Sequence, residues 1–148
     1  MTPFRIRAFR PEDGPAVVEL WRACQLVVAH NDPLRDIARK LRVNPEWFLV
    51  GELDEAIIAA CMAGYEGHRG WINYLAVAPD QQRRGYARQM MAETERRLRD
   101  AGCPKINLQI RATNRGVIEF YRKIGFKVDE VVSMGKRLEA DLPRPQES

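Results

Sequence analysis

Histidine and cysteine are scarce in this chain, which has only His30 and His68 and only Cys24, Cys61 and Cys103 among 148 residues. No CxxC pair occurs, so neither a disulfide framework nor a zinc site with ordinary ligand spacing is expected. Long apolar runs are missing too. No stretch approaches the roughly 18 residues of a membrane span, and the opening MTPFRIRAFR enters an amphipathic segment without the apolar core of a secretory leader. A cytoplasmic protein with no membrane partner is expected. No repeat, low-complexity tract or linker divides the chain, and 45% apolar with 30% charged residues is ordinary globular usage. A chain of this length buries roughly 70% of its unfolded surface in one core. The expectation is a single domain over 1–140 followed by a mobile tail at 141–148, where Pro143 and Pro145 stand.

Positive charge is in surplus, 24 − 20 = +4, and 19 of the 24 cations are arginine. Arginine suits forked contacts to phosphate and carboxylate, which favours an anionic partner. Several arginines, Arg96, Arg97 and Arg99 among them, read more simply as a solvated helix face. The charge is dispersed and no nucleic-acid motif occurs, so a nucleic-acid partner is not expected.

Hydrophobic periodicity gives the element order. Phe4, Ile6 and Ala8 alternate with Arg5 and Arg7, the pattern of a half-buried strand over 4–8. Val17, Leu20, Trp21 and Cys24 recur at helical spacing within 14–25. A second helix follows Asn31-Asp32-Pro33, with Asp32 as its cap, Pro33 at its first position and Leu34, Ile37, Ala38 and Leu41 on its apolar face. Strands are expected at 47–50, at 56–65 after an Asp54-Glu55 turn, and at 71–77, where Pro79 stops the run. A long helix over 85–101 turns Ala87, Met90, Met91, Thr94 and Leu98 inward and ends at Gly102. A strand at 105–110, a helix at 114–124 and strands at 126–128 and 131–138 complete the order β-α-α-β-β-β-α-β-α-β-β, a mixed-sheet α/β or α+β layer structure.

The segment from Leu75, Ala76 and Val77 to Arg88 is the most informative. It reads as a strand ended by Pro79, a polar loop and a helix that begins near Gly85. The first amides of a helix lack intrahelical partners and sit at the positive end of its dipole, so a pyrophosphate can dock there. Gly85 permits close backbone approach, and Arg83, Arg84 and Arg88 add charge. The same residues are also compatible with a plain strand-to-helix turn. Neither a Walker loop nor a GxGxxG fingerprint is present, which disfavours ATP and NAD.

Gln82-x-x-Gly85-x-Ala87, after a strand ending Leu-Ala-Val-x-Pro, resembles the acetyl-CoA-binding signature of the GNAT N-acetyltransferase superfamily. Asn114 to Phe126, with Tyr121 and Gly125-Phe126, is similar to that family's Asn-x-x-x-x-x-x-Tyr-x-x-x-Gly-Phe block. Segments 31–37, 64–70 and 102–106 resemble a small bacterial subgroup, the YpeA-type acetyltransferases. The resemblance implies the GNAT fold and acetyl-CoA as cosubstrate, with no metal. It places Leu75, Ala76, Val77, Gln82, Arg83, Arg84, Gly85, Tyr86, Ala87, Arg88 and Asn114 around that cosubstrate. The acceptor would be an amine, on a small molecule or a protein N-terminus, attacking directly in a ternary complex. Monomer and homodimer both stay open.

Such a transfer needs a neutral amine, a stabilised oxyanion and a proton for the departing thiolate. Presenting a lysine-like amine neutral at pH 7 costs roughly 4.6 kcal/mol, since its pKa of about 10.4 lies 3.4 units higher. By resemblance, a backbone amide in the Val77 region would hold the oxyanion and Tyr121 would be the general acid. Tyr121 follows Asn114 by seven residues, about 700° of helical rotation, which puts both on one face. An ordinary core role for Tyr121 fits the same periodicity. The general base does not carry over, because ribosomal-protein-type members have a glutamate where Gln109 stands, and a glutamine accepts no proton. Glu66 and His68 are the candidates, with Asp32 and a water relay as alternatives. Cys103, before a proline in a turn, reads as a packing residue. The absent acid leaves a rival reading, a catalytically weak CoA-binding sensor or interaction protein on the same fold.

Overall fold

A computed structural model describes residues 3–29 and 31–139, so His30 and the expected mobile tail at 141–148 lie outside the described residues. The strands are β1 (Arg5–Ala8), β2 (Phe48–Leu53), β3 (Ala56–Tyr65), β4 (Gly70–Val77) and β5 (Ile106–Leu108), in the spatial order β1-β2-β3-β4-β5. The helices are α1 (Gly14–Ala23), α2 (Pro33–Lys40), α3 (Tyr86–Asp100) and α4 (Arg115–Lys123). Pairing is antiparallel from β1 to β4 and parallel between β4 and β5, the pair that α3 connects. The mixed α/β class expected from periodicity is the one observed.

Alternation along the central strands divides the core into two layers. Phe48 and Val50 of β2, with Ala60 and Met62 of β3, pack with Val17, Leu20 and Trp21 of α1 and Ile37 of α2. Leu49 of β2, with Ala59, Cys61 and Ala63 of β3, packs on the other face with Met90, Met91 and Leu98 of α3 and Tyr121 of α4. The strand period of two therefore assigns one pair of helices to each face. Phe9, Phe48, Trp21 and Tyr74 form a continuous aromatic stack, with centroid separations of 4.3 Å for Phe9–Phe48 and 4.1 Å for Trp21–Tyr74. Rings of this kind each bury on the order of 150–250 Å² and dominate the packing free energy. At the sheet edge, Arg7 clamps the first turn to β2 through Asp13 at 2.7 Å and Glu52 at 2.5 Å.

Local signals explain the element ends. Asp32 caps α2 by accepting from the amides of Leu34 and Arg35, and Pro33 occupies the first helical position, as the sequence predicts. α1 stops at Ala23 rather than at 25 because Gln25 takes a φ of 59°. Trp47 lies in a short turn with Pro45 at its start, so β2 begins one residue later, at Phe48. The strands expected at 126–128 and 131–138 are not formed among the described residues. Val128, Val131, Val132, Met134 and Leu138 are 67–92% exposed, and this segment is tied to the residues flanking β5 by side chains, Lys105–Asp129 at 2.8 Å and Gln109–Ser133. The adjacent apolar pair Val131-Val132 and the interruption at Gly135 break the alternation that would hold a register, and β5 has a three-residue edge. Among the described residues no helix is long and apolar enough to cross a membrane.

Candidate active site

The site starts from an irregularity in β4. Met62 pairs with Asn73 and Ala60 with Ala76, so Cys61 alone stands opposite Tyr74 and Leu75 and β4 carries one extra residue. Tyr74 takes a φ of 54°, left-handed and uncommon for an aromatic residue, which is the backbone cost of the bulge. Its ring joins the α1–α2 layer, whereas Leu75 packs in the α3–α4 layer. β5 pairs with β4 only at Gly70, Trp71 and Ile72. Beyond Ile72 the two strands separate, and the gap between them begins where the bulge lies.

On the α3 side, the chain leaves Val77 through a turn at Pro79–Gln81 and reaches α3 by way of Arg83 at φ 65° and Gly85 at φ 87°. The Gln82 amide donates to the Val77 carbonyl at 3.0 Å and ties the loop to its strand, while the Cys24 thiol donates to the same carbonyl at 3.2 Å. Gly85 is the helix N-cap. No side chain caps α3, its first turn holds no acid, and Arg83, Arg84 and Arg88 are exposed around it. A Cβ added to Gly85 meets nothing within 4 Å, so the space above that backbone is open. An uncapped 15-residue helix among three guanidiniums fits a diphosphate, the group by which coenzyme A would be held. Tyr86 and Ala87 are half-buried, packing on the layer beneath the cradle.

α4 approaches from the same face. Asn114 caps it by accepting from the Val117 amide at 3.4 Å. Tyr121 is 7% exposed and stands edge-on to Phe120 and Phe126. Burial pushes its phenol well above the usual tyrosine range, so the hydroxyl keeps its proton. Asn114 stands as the N-cap, with a ψ of 73° and exposed, while Tyr121 is buried seven residues on.

The residues considered as bases lie at the other end of β4 from the α3 cradle. Glu66 and His68 sit in the exposed β3–β4 turn, and the Glu66 carboxylate accepts from the backbone amides of His68, at 3.0 Å, and Arg69. That turn is at the Gly70 end of β4. Val77 at the other end is about 23 Å away at the rise of a strand. Glu66 and His68 are thus remote from the α3 cradle, but Glu66 borders a smaller hollow of about 220 Å³ that shares Lys40, Met62 and Asn73 with the cleft on the α1–α2 face, and Asp32 caps α2.

On the α1–α2 face the gap opens into a cleft of about 640 Å³ bordered by Asn31, Asp36, Arg39, Lys40, Tyr74 and Arg111. The Tyr74 hydroxyl donates to Asp36 at 2.6 Å, and the Asn31 amide reaches that hydroxyl at 3.4 Å. Arg39 pairs with the other Asp36 oxygen at 3.3 Å. Lys40 donates to the Ala63 carbonyl, and burial pulls its ammonium below the usual lysine range. Sequence reasoning missed Asp36 and Tyr74 as a pair. Asp36 reads as first-turn charge complementing the helix dipole, and the bulge that turns Tyr74 toward it leaves no periodic signal.

In the Val77 region, the Val77 carbonyl accepts from Gln82 and Cys24, and the Ala78 amide is bonded to Ile58 at 2.8 Å. The interruption in the β3–β4 ladder lies earlier, at Tyr74 and Leu75.

Comparison with known proteins agrees with this geometry. Residues 14–126 match the family model described as the acetyltransferase (GNAT) family. Acetyltransferase YE1169 of Yersinia enterocolitica is 43% identical over 136 residues, covering 92% of this chain and 96% of that protein. An aminoglycoside N-acetyltransferase, AAC(6')-Iy, solved in complex with CoA, superposes with a TM-score of 0.75 at 19% identity over 93% of this chain and 97% of that one. Naa20 of Chaetomium thermophilum, solved with a bisubstrate analogue, gives a TM-score of 0.69 at 25% identity over 84% of this chain and 71% of that one. With the family model matched over residues 14–126 and a relative 43% identical across 92% of the chain, this chain belongs to the GNAT acetyltransferase family.

Proposed function

We propose that this protein transfers an acetyl group from acetyl-CoA to a primary amine by direct attack in a ternary complex. The observation that carries the reading is continuity. The uncapped N-terminus of α3 lies at the end of the strand whose bulge borders the β4/β5 gap, and that gap opens on the opposite face into the cleft holding Tyr74 and Asp36. Acetyl-CoA supplies an acyl group activated as a thioester. The α3 amides from Tyr86 and Ala87 onward, with Arg83, Arg84 and Arg88, hold the diphosphate, and Gly85 leaves room for it. The amine approaches from the α1–α2 face, so that an N–C bond forms as the C–S bond breaks.

Two protons move in that exchange. The amine must lose one, and Asp36, directly or through the Tyr74 hydroxyl it accepts from, is the carboxylate set in the cleft to take it. The departing thiolate gains the other from solvent once it has left, and the role assigned to Tyr121 is to donate a hydrogen bond to the sulfur while the C–S bond breaks. An ordinary thiol near pKa 8.5 is a weak base toward a phenol near 10, and burial raises both, so a donor bond that strengthens as charge builds on sulfur is the form of help Tyr121 gives. The oxyanion is assigned to a backbone amide at the bulge, where Tyr74 and Leu75 stand opposite a single residue of β3.

The test is calorimetric acetyl-CoA affinity together with thiol release in the presence of pooled primary amines. Micromolar binding and acceptor-dependent release are expected. Absence of acetyl-CoA binding by the folded protein overturns the reading.

A further inference from the structure

The walls of the acceptor cleft carry an unequal charge. The charged side chains lining it are Arg39, Lys40 and Arg111 against Asp36, and Glu139 beside Arg39 brings the local balance to three cations and two carboxylates. Asp36 accepts from Tyr74 and pairs with Arg39, its neighbour one turn away on α2. A polycationic acceptor entering here meets a net positive wall. An amine that also bears a carboxylate meets the opposite balance, with Asp36 for its ammonium and, for its acid, the Arg39 guanidinium 3.3 Å from that carboxylate and Arg111 bordering the same cleft. The chain supplies a second observation in the same sense. The Glu139 carboxylate, carried in on the extended segment after α4, stands 3.7 Å from Arg39 Nη2, so an acid from outside α2 already sits at this guanidinium.

Distance matters as much as sign. Asp36 and Arg39 are 3.3 Å apart at their nearest atoms, so a donor and an acceptor site lie side by side, whereas Arg111 approaches from beyond β5 on the far side of the gap. That spacing suits an ammonium and a carboxylate separated by a few bonds. Resting on the acetyl-transfer reading above, we infer that the acceptor is a small amine bearing a carboxylate, of the amino-acid class, with Asp36 and Tyr74 receiving the amine and Arg39 and Arg111 receiving the acid. Charge-assisted contacts to a planar guanidinium are the recognition chemistry suited to that acid.

The test compares pairs of probes that differ only by the carboxylate, leucine against isopentylamine and 4-aminobutyrate against propylamine. Each is titrated calorimetrically into the full chain, with and without saturating CoA. In at least one pair the acid-bearing member should bind tenfold tighter or better. Arg111→Gln, at an exposed position, should reduce that ratio at least threefold and leave CoA affinity unchanged, and Arg111→Glu should reduce it further. Equal or tighter binding by both decarboxylated members overturns the inference, as does an absence of binding by all four probes. Failure of CoA to bind overturns the acetyl-transfer reading instead, and the titrations without CoA then still decide the acceptor class.

Discussion

The Tyr74 hydroxyl donates to the Asp36 carboxylate at 2.6 Å, joining a bulged strand residue to the first turn of α2 across 38 positions of sequence. The ring of Tyr74 lies on Trp21 in the aromatic stack, so its hydroxyl is held by packing as well as by hydrogen bonding. Tyr74→Phe keeps the stack and removes the donor. It should lower kcat/KM for the acceptor by about tenfold or more, within the range of one charge-assisted hydrogen bond, with acetyl-CoA affinity unchanged. Steady-state kinetics beside a binding titration checks this, and a parallel loss of both quantities would point to a disturbed fold.

Gly85→Asp adds a side chain and a negative charge at the N-cap of α3. The added Cβ meets no protein atom, and a φ of 87° is a left-handed conformation that glycine adopts freely and asparagine or aspartate at modest cost. Acetyl-CoA affinity should fall at least tenfold with only modest loss of stability. Gly85→Asn controls for the backbone, because it tolerates the same conformation without charge and should bind better than the aspartate.

Tyr121→Phe should lower kcat at saturating acetyl-CoA far more than it raises the acetyl-CoA Kd. Since burial raises the phenol's pKa, its ionisation is not expected below about pH 10, the ordinary tyrosine value. A wild-type kcat profile that falls between pH 8 and 9 with the pKa of a group absent from Tyr121→Phe would contradict that assignment.

Asp13 is buried against Arg7, and that guanidinium holds its carboxyl below the usual carboxylate range. The sign of the linkage follows from a depressed folded value. The pair's contribution is fully present above the unfolded pKa of about 4 and is lost as pH falls through the folded one. Asp13→Asn should cost about 1–3 kcal/mol at pH 7, the range for leaving a charged hydrogen-bonding group without its partner. The difference from wild type should shrink below pH 4, as measured by urea denaturation across pH.

Much of the donor side was legible because it is local. The run from Leu75 to Arg88 places strand, loop and helix consecutively, and an uncapped helix start beside arginines can be read without knowing what lies opposite. The acceptor side was not. Asp36 and Tyr74 meet through a bulge, and a bulge is a register event between β3 and β4 that alternation along one strand does not record. Glu66 and His68 drew attention by residue type, but the turn they occupy uses the Glu66 carboxylate for its own amides. The strands expected at 126–128 and 131–138 are not formed among the described residues, and Val128, Val131 and Val132 are left in solvent where a three-residue edge offers little to pair with.

The parting of β4 from β5 after Ile72 also bears on the order of substrate loading. A sheet continuous to Val77 would have been a wall, and both substrates would have had to queue at the same entrance. On the proposed reading the sheet is a partition with one slot, the coenzyme entering from the α3 side and the amine from the α2 side. Neither molecule has to pass the other. Initial-rate plots for the two substrates should therefore intersect rather than run parallel, and either one should be able to occupy its half of the slot first.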